Sequence, residues 1–145
     1  MAKLWLSDEE LMGIGERRTA EELQKGLPDD WDIYCNKIIP LELGFTRELD
    51  FIVVAPGYLM LLEDKNWKGR ITGTADWWTL DTGDSRKSPL RKVDSISRKL
   101  LGYITKNVPG LNNLSVDWIT GYVILSHTHA TEPDIDDIRK FDQIL

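Results

Sequence analysis

Residues 47–66 read RELDFIVVAPGYLMLLEDKN, and this stretch decides the fold. Two runs rich in aliphatic and aromatic residues, 47–55 and 58–66, are separated only by Pro56-Gly57, a pair typical of turns. Each run carries apolar residues on both of its alternating faces, as do strands that are covered on both sides. The stretch therefore predicts a β-hairpin of two interior strands between helices.

The chain predicts a core order of a helix, three strands, a second helix and a further strand, in which the hairpin supplies two of the three strands. A short strand at 76–80 and a terminal helix are expected in addition. A capping box formed by Ser7 and Glu10 begins the first helix. Apolar periodicity, turn residues and β-branched runs then set the expected elements. These are helices over 7–25 and 89–106, strands over 31–39, 76–80 and 117–126 with a turn at 82–84, and an amphipathic helix from 134 to 145.

Length and composition limit the classes of protein that fit. A chain of 145 residues with 41% hydrophobic residues suits one domain, and no apolar run approaches the roughly 18 residues of a membrane helix. Cys35 is the only cysteine and no signal peptide is evident, so a cytoplasmic protein without internal disulfides is expected. The net charge of −6 argues against a general polyanion-binding surface. Because the last apolar pattern runs to Leu145, we expect a fragment of a longer protein.

Charged residues are predicted to meet at the open end of the hairpin. Glu63 and Lys65 are two apart in one strand, so their side chains project from the same face. Counting outward from a two-residue Pro56-Gly57 loop places Asp50 opposite Glu63, with their Cβ atoms roughly 5 Å apart. Pro-Gly does not have the preferred twist for such a loop, and a longer loop would shift the pairing.

Two carboxylates in this arrangement would repel by about 3 kcal/mol at an effective dielectric constant of about 20. A divalent cation between them removes the repulsion, and oxygen donors favour Mg²⁺ or Mn²⁺. Such a site suits phosphodiester hydrolysis, with Asp50 and Glu63 as metal ligands and Lys65 orienting the nucleophile or stabilising charge at phosphorus. Glu16 interrupts the apolar stripe of the first helix and is the candidate fourth member. The alternative is an ordinary cross-strand charge cluster.

Ordered motifs run along most of the chain. They are Gly15-Glu16, Glu48-Leu49-Asp50, LEDKNW at 62–67, KGRI at 68–71 and SPLR at 88–91. With these motifs the chain resembles the nuclease-related (NERD) domain of the PD-(D/E)xK nuclease superfamily. The resemblance implies one such domain over residues 1–145. It also implies a restriction-endonuclease-like α/β core, in which a mixed central sheet is flanked by helices in the order αβββαβ.

The resemblance also implies roles for individual residues. Asp50 and Glu63 match the predicted metal ligands, Lys65 the catalytic lysine and Glu16 the additional acid. The second-helix motif of the family reads Asn-Pro with a glutamine three residues after the proline. This chain instead has Ser88-Pro89 and Lys92, a departure that bears on substrate preference and activity.

Two functions follow as hypotheses. The first is divalent-metal-dependent hydrolysis of DNA, within a phage-defence or DNA-processing protein. The second is a catalytically inactive NERD-like module that binds nucleic acid or regulates a downstream domain of the same chain, such as a protein kinase. The resemblance implies such fusions, because NERD domains occur as appendages to larger proteins.

Positive charge is concentrated around the second helix in an otherwise acidic chain, as a local phosphate-binding track requires. The candidate nucleic-acid-binding residues are Arg86, Lys87, Arg91, Lys92 and Lys99. Each of them is also compatible with a solvated helix face.

Three tryptophans near the predicted site have two interpretations. Trp67, Trp77 and Trp78 could stack on unpaired bases, or they could fill the core between strands. We expect a core position for at least one of them.

Overall fold

Two helices and nine strands are assigned in a computed structural model that describes residues 1–5, 14–41, 44, 46–74, 76–111, 118–127 and 134–135. In chain order they are β1 (Lys3–Trp5), α1 (Ile14–Gly26), β2 (Asp32–Pro40), β3 (Thr46–Ala55), β4 (Tyr58–Lys65), β5 (Thr72–Gly73), β6 (Trp77–Thr79), β7 (Ser85–Lys87), α2 (Pro89–Asn107), β8 (Ile119–Leu125) and β9 (Asp134–Ile135).

The central sheet has five strands in the order β1-β2-β3-β4-β8. The pairs β2–β3 and β3–β4 are antiparallel, whereas β1–β2 and β4–β8 are parallel. The sheet is therefore mixed, and the expected α/β fold is confirmed. Ala55 pairs with Tyr58 across the turn, and the register continues to Phe51 opposite Leu62. This is the two-residue loop that the sequence predicted.

Apolar side chains cover both faces of the hairpin, as predicted for interior strands. Leu61 lies in a core cluster on the α2 face with Val93, whereas Leu62 lies in a second cluster on the α1 face with Ala20. Successive side chains of β4 therefore contribute alternately to two hydrophobic clusters, one on each face of the sheet. The helix predicted over 89–106 is confirmed as α2, in which Val93, Ile96 and Leu100 are buried and Ile104 packs partly buried against the same cluster.

A second, smaller sheet has the strand order β7-β6-β5-β9. Its β6–β7 hairpin confirms the strand and turn expected at 76–84, with Trp77 paired to Lys87 and Trp78 to Arg86. The sequence did not predict β1, β5, β7 or β9. Each has two or three residues, too few for a periodic signal.

The helix predicted over 134–145 is wrong at its start. Asp134 and Ile135 form β9 and pair in parallel with Thr72 and Gly73 of β5, so a tertiary pairing overrides the local helical pattern. Residues 136–145 lie outside the described part, as do residues 6–13 at the predicted start of α1, which ends at Gly26. Among the described residues, no helix is long and apolar enough to cross a membrane.

Gly121 sets how closely α2 approaches the central sheet. A Cβ at this position of β8 would lie 2.8 Å from Cγ1 and 3.0 Å from the carbonyl oxygen of Val93. We expect Gly121→Ala to lower the free energy of unfolding by about 1–3 kcal/mol, the usual cost of overpacking. Urea denaturation measures this, with Gly26→Ala as the control because its added methyl meets nothing within 4 Å. Equal stability of the two variants would contradict this account of the packing.

Candidate active site

The candidate site lies at the open end of the β3–β4 hairpin, where the two strands stop pairing. The paired register ends at Phe51 and Leu62, one residue before the predicted pair of Asp50 and Glu63. Here the backbone amide of Asp64 donates a 2.8 Å hydrogen bond to Oδ2 of Asp50. The Asp50 side chain thus accepts a hydrogen bond from the amide that follows the last β3–β4 pair, and this bond fixes the position of its carboxylate.

Pairing is also interrupted on the other side of Asp50. The β2–β3 register includes Cys35 with Phe51 and Lys37 with Leu49, but not the pair between them. Asn36 has φ 48°, in the left-handed region that asparagine tolerates better than most residues. Asp50 therefore lies where the sheet opens towards both neighbouring strands. Asn36 was not predicted to interrupt the pairing, and its only signal in the sequence is a polar amide within a strand run.

Glu63 is 3% exposed, and two ammonium groups approach one of its oxygens. Nζ of Lys65 lies 3.7 Å from Oε2 of Glu63, and Nζ of Lys92 lies 3.3 Å from the same oxygen. The Lys65 ammonium also lies 5.5 Å from the centre of the Trp67 ring. Lys92, which the sequence suggested as a nucleic-acid contact, thus reaches from α2 to a predicted catalytic carboxylate.

Burial makes negative charge unfavourable at both predicted metal ligands. It is the main cause that raises the pKa of Glu63, and the charge of Asp50 raises it further, while Lys92 and Lys65 act in the opposite direction. Burial also raises the pKa of Asp50, against the hydrogen bond from Asp64 and the charge of Lys65. The charge of Asp50 therefore disfavours the ionised form of Glu63.

Glu16 belongs to the same electrostatic cluster, although it lies on α1. Its pKa is raised first by burial and then by the charges of Asp50 and Asp64, and the side chain of Asn36 partly offsets these effects. Asp64 points to the α1 face, where its Oδ2 accepts a 3.0 Å hydrogen bond from Thr19. Asp50, Glu63 and Lys65 thus lie together, and Glu16 lies near enough to Asp50 for its pKa to be raised by that charge.

The donor set suits a hard divalent cation. Asp50 and Glu63 offer carboxylate oxygens whose charge burial disfavours, and a bound cation would reverse that effect. In the described part of the chain, no group of three or more His, Cys, Asp or Glu side chains is arranged to hold a metal. The two carboxylates alone would leave most of the coordination to water and substrate oxygens, as Mg²⁺ commonly accepts.

The five predicted nucleic-acid-binding residues do not form one uniform track. Arg86 and Lys87 are exposed on β7, and Lys99 is exposed on α2 two turns beyond Lys92. Nε of Arg91 forms a 2.7 Å ion pair with Oδ1 of Asp76, which neutralises its charge locally.

The three tryptophans have different environments. Trp78 is fully buried, which confirms the expected core position for at least one of them. Trp67 is half-buried and packs edge-on against Trp78, with ring centres 6.2 Å apart. Trp77 is 53% exposed.

Comparison with known proteins identifies the family. The family model described as "Nuclease-related domain" matches residues 13–126. The chain belongs to the NERD family. It is 31% identical over 118 residues to a Streptomyces coelicolor protein named "Probable kinase PglW", a match that covers 77% of this chain and 8% of that relative's length. No solved structure matches the chain significantly.

The raised pKa of Asp50 leads to a stability prediction for the metal-free NERD domain. Asp50→Asn should raise the free energy of unfolding by about 1 kcal/mol at pH 7, because asparagine can still accept the Asp64 amide but carries no charge to desolvate. An acid whose pKa is raised by folding destabilises the fold once the pH exceeds the unfolded value, about 4. The gain should therefore shrink as the pH falls towards 4.

Urea unfolding in EDTA between pH 4 and 7 measures this difference, with the exposed Asp30→Asn as the control. If the stability gained by Asp50→Asn increased as the pH fell, burial of the Asp50 charge could not be its cause.

The Lys92–Glu63 ion pair leads to a prediction for metal affinity. Because a metal on Glu63 would compete with this partly exposed pair, worth at most about 1 kcal/mol, Lys92→Gln should tighten Mn²⁺ binding by up to about fivefold. Calorimetric titration measures the affinity. Lys87→Gln makes the same change of charge on β7, and equal affinities of the two variants would show that Lys92 does not compete with the metal.

Proposed function

We propose that this NERD domain is a divalent-metal-dependent nuclease that hydrolyses phosphodiester bonds of DNA. The observation that carries the proposal is the convergence of Asp50, Glu63 and Lys65 at the opened end of the hairpin. An ordinary surface charge cluster would be solvated, whereas Glu63 is almost completely buried. Burial of like charges without full compensation is typical of functional sites.

Each residue has a role that follows from its surroundings. Asp50 and Glu63 would hold Mg²⁺ or Mn²⁺, which supplies charge stabilisation at the phosphate and a more acidic water. Asp50 is held by the Asp64 amide, so its carboxylate needs little reorganisation to act as a ligand. Glu16, close to Asp50, adds negative charge at the rim of the site.

Lys65 is the residue assigned to the reacting phosphate. In hydrolysis, the water oxygen bonds to phosphorus while the bond from phosphorus to the leaving sugar oxygen breaks, and that oxygen takes up a proton. Lys65 lies between Glu63 and the Trp67 ring, a position from which its ammonium can orient the water or stabilise the charge that develops at phosphorus.

A second candidate function is a NERD module that binds nucleic acid or regulates a partner domain without cleaving. The observation that favours it is the pair of lysines on Glu63, because Lys65 and Lys92 already compensate the charge that a metal would compensate. The relative's name contains the word kinase, and the matched region is 8% of its length. A regulatory module fused to a kinase is therefore the form that this alternative takes.

The two candidates are distinguished by incubating the purified domain with supercoiled plasmid and with linear DNA, in Mg²⁺, Mn²⁺ or EDTA. We expect metal-dependent nicking that Asp50→Ala abolishes and that Lys65→Ala lowers by about a hundredfold or more. Lys68→Ala, at an exposed position three residues further along the chain, is the matched control and should cleave nearly as wild type. Circular dichroism verifies that each variant is folded.

The outcomes separate the assignments. Undiminished cleavage by Lys65→Ala would show that Lys65 has no role in catalysis. Cleavage in EDTA would show that the reaction does not require a divalent metal. Absence of cleavage by wild type, with salt-sensitive DNA binding that survives Glu63→Gln, would favour the regulatory module.

A further inference from the structure

We infer that Trp77 and Lys87 form a stacking site for an unpaired nucleobase, which selects single-stranded nucleic acid as the substrate class. This inference rests on the proposed function, because it concerns the substrate of the same domain. The two residues, called here the β6–β7 platform, are a cross-strand pair in the smaller sheet. The platform combines an aromatic face with an ammonium group on one surface.

The register of the β6–β7 hairpin fixes what each face of the smaller sheet carries. Trp77 and Lys87 lie on one face, and Trp78 and Arg86 lie on the other. Trp78 is fully buried against the core, whereas Trp77 is 53% exposed and therefore lies on the solvent side. Two adjacent tryptophans in one strand thus have opposite functions: Trp78 anchors the sheet, and Trp77 presents a large ring to solvent.

Lys87 supplies the charge that matches a nucleic acid. It is exposed and forms no ion pair within the described residues, whereas Arg91 is held by Asp76. In an acidic chain with a net charge of −6, phosphate contacts alone would give weak binding. Stacking on an aromatic ring adds affinity that does not require further positive charge, and a neighbouring lysine can contact the phosphate attached to the stacked base.

The hairpin that carries the platform is connected to the candidate active site through side chains on its other face. Trp78 packs on Trp67, whose ring lies 5.5 Å from the Lys65 ammonium. The amide of Ser88 donates a 2.8 Å hydrogen bond to the carbonyl of Asp76, and α2, which carries Lys92 to Glu63, begins at the next residue. A base on Trp77 would therefore be held by a hairpin that contacts Trp67 through Trp78 and the start of α2 through Asp76.

The shape of the platform favours unpaired bases over a duplex. Within a double helix both faces of each base are already stacked on neighbours, so an isolated tryptophan on a sheet surface has no free face to meet. In a single strand the bases can separate and stack on a side chain, whatever their identity. The platform therefore predicts a preference for single strands without strong sequence preference.

The test is fluorescence anisotropy with a labelled oligonucleotide, single-stranded or annealed to its complement, in EDTA to prevent cleavage. Trp77→Ala should weaken binding of the single strand by at least about fivefold and leave duplex binding unchanged. Trp77→Phe, which keeps an aromatic ring, should weaken single-strand binding less than Trp77→Ala does. Trp5→Ala is the matched control, because Trp5 is 49% exposed but lies on β1, at an edge of the central sheet three strands from β4.

Lys87→Gln tests the charged half of the platform. It should lower the dependence of single-strand affinity on salt concentration by roughly one phosphate contact, whereas Trp77→Ala should leave that dependence unchanged. Both substitutions are at exposed positions, and thermal unfolding verifies that the fold is retained.

Three results would overturn the inference: unchanged single-strand affinity in Trp77→Ala, equal losses for single strand and duplex, or the same loss in Trp5→Ala. If metal-dependent cleavage is observed together with any of these results, the stacking site at Trp77 and Lys87 is ruled out but the proposed nuclease function is retained. If the wild-type domain binds neither form of DNA and cleaves neither, the proposed function fails together with the platform.

Discussion

The hydrogen bond from the Asp64 backbone amide to the Asp50 carboxylate is the contact on which the candidate site depends. At this point β3 no longer pairs with β4, and the left-handed Asn36 interrupts pairing with β2. The Asp64 amide, which lies beyond the last β3–β4 pair, instead donates its hydrogen bond to the Asp50 carboxylate. Backbone geometry thus determines where the Asp50 carboxylate lies, and its charge raises the pKa of Glu16 on α1.

Electrostatic strain at the site has to be balanced by packing elsewhere. Burial raises the pKa of Asp50, Glu63 and Glu16, so each carboxylate is destabilised as an anion before any ligand binds. Lys65 and Lys92 offset part of this at Glu63. The two apolar clusters, one on each face of the central sheet, provide the stability that tolerates this arrangement. A cation at the proposed site would therefore compete with the lysines that already contact Glu63.

Local patterns were sufficient to predict much of this fold. The Pro56-Gly57 turn and alternation fixed the hairpin register, and helical periodicity gave α2 nearly residue by residue. The left-handed conformation of Asn36 was beyond local reasoning, because it depends on the neighbouring strand. Two-residue strands such as β9 exist only through tertiary pairing, and for this reason the helix expected from residue 134 was wrong at its start. The approach of Lys92 to Glu63 depends on how closely α2 lies on Gly121, which no local pattern encodes.

The alternation of Glu63, Asp64 and Lys65 along β4 also constrains how this domain can diverge. Glu63 meets Lys92 of α2, and Asp64 meets Thr19 of α1, so adjacent residues serve opposite sides of the sheet. Inserting or deleting one residue within β4 would shift the alternation of the following side chains by one position. Glu63 and Lys65 would then both point to the α1 side of the sheet instead of the α2 side. A point substitution changes one contact, whereas a single-residue gap changes all of them. Related chains should therefore align without gaps across residues 58–65, even where the amino acids themselves differ, and length variation should accumulate in the loops.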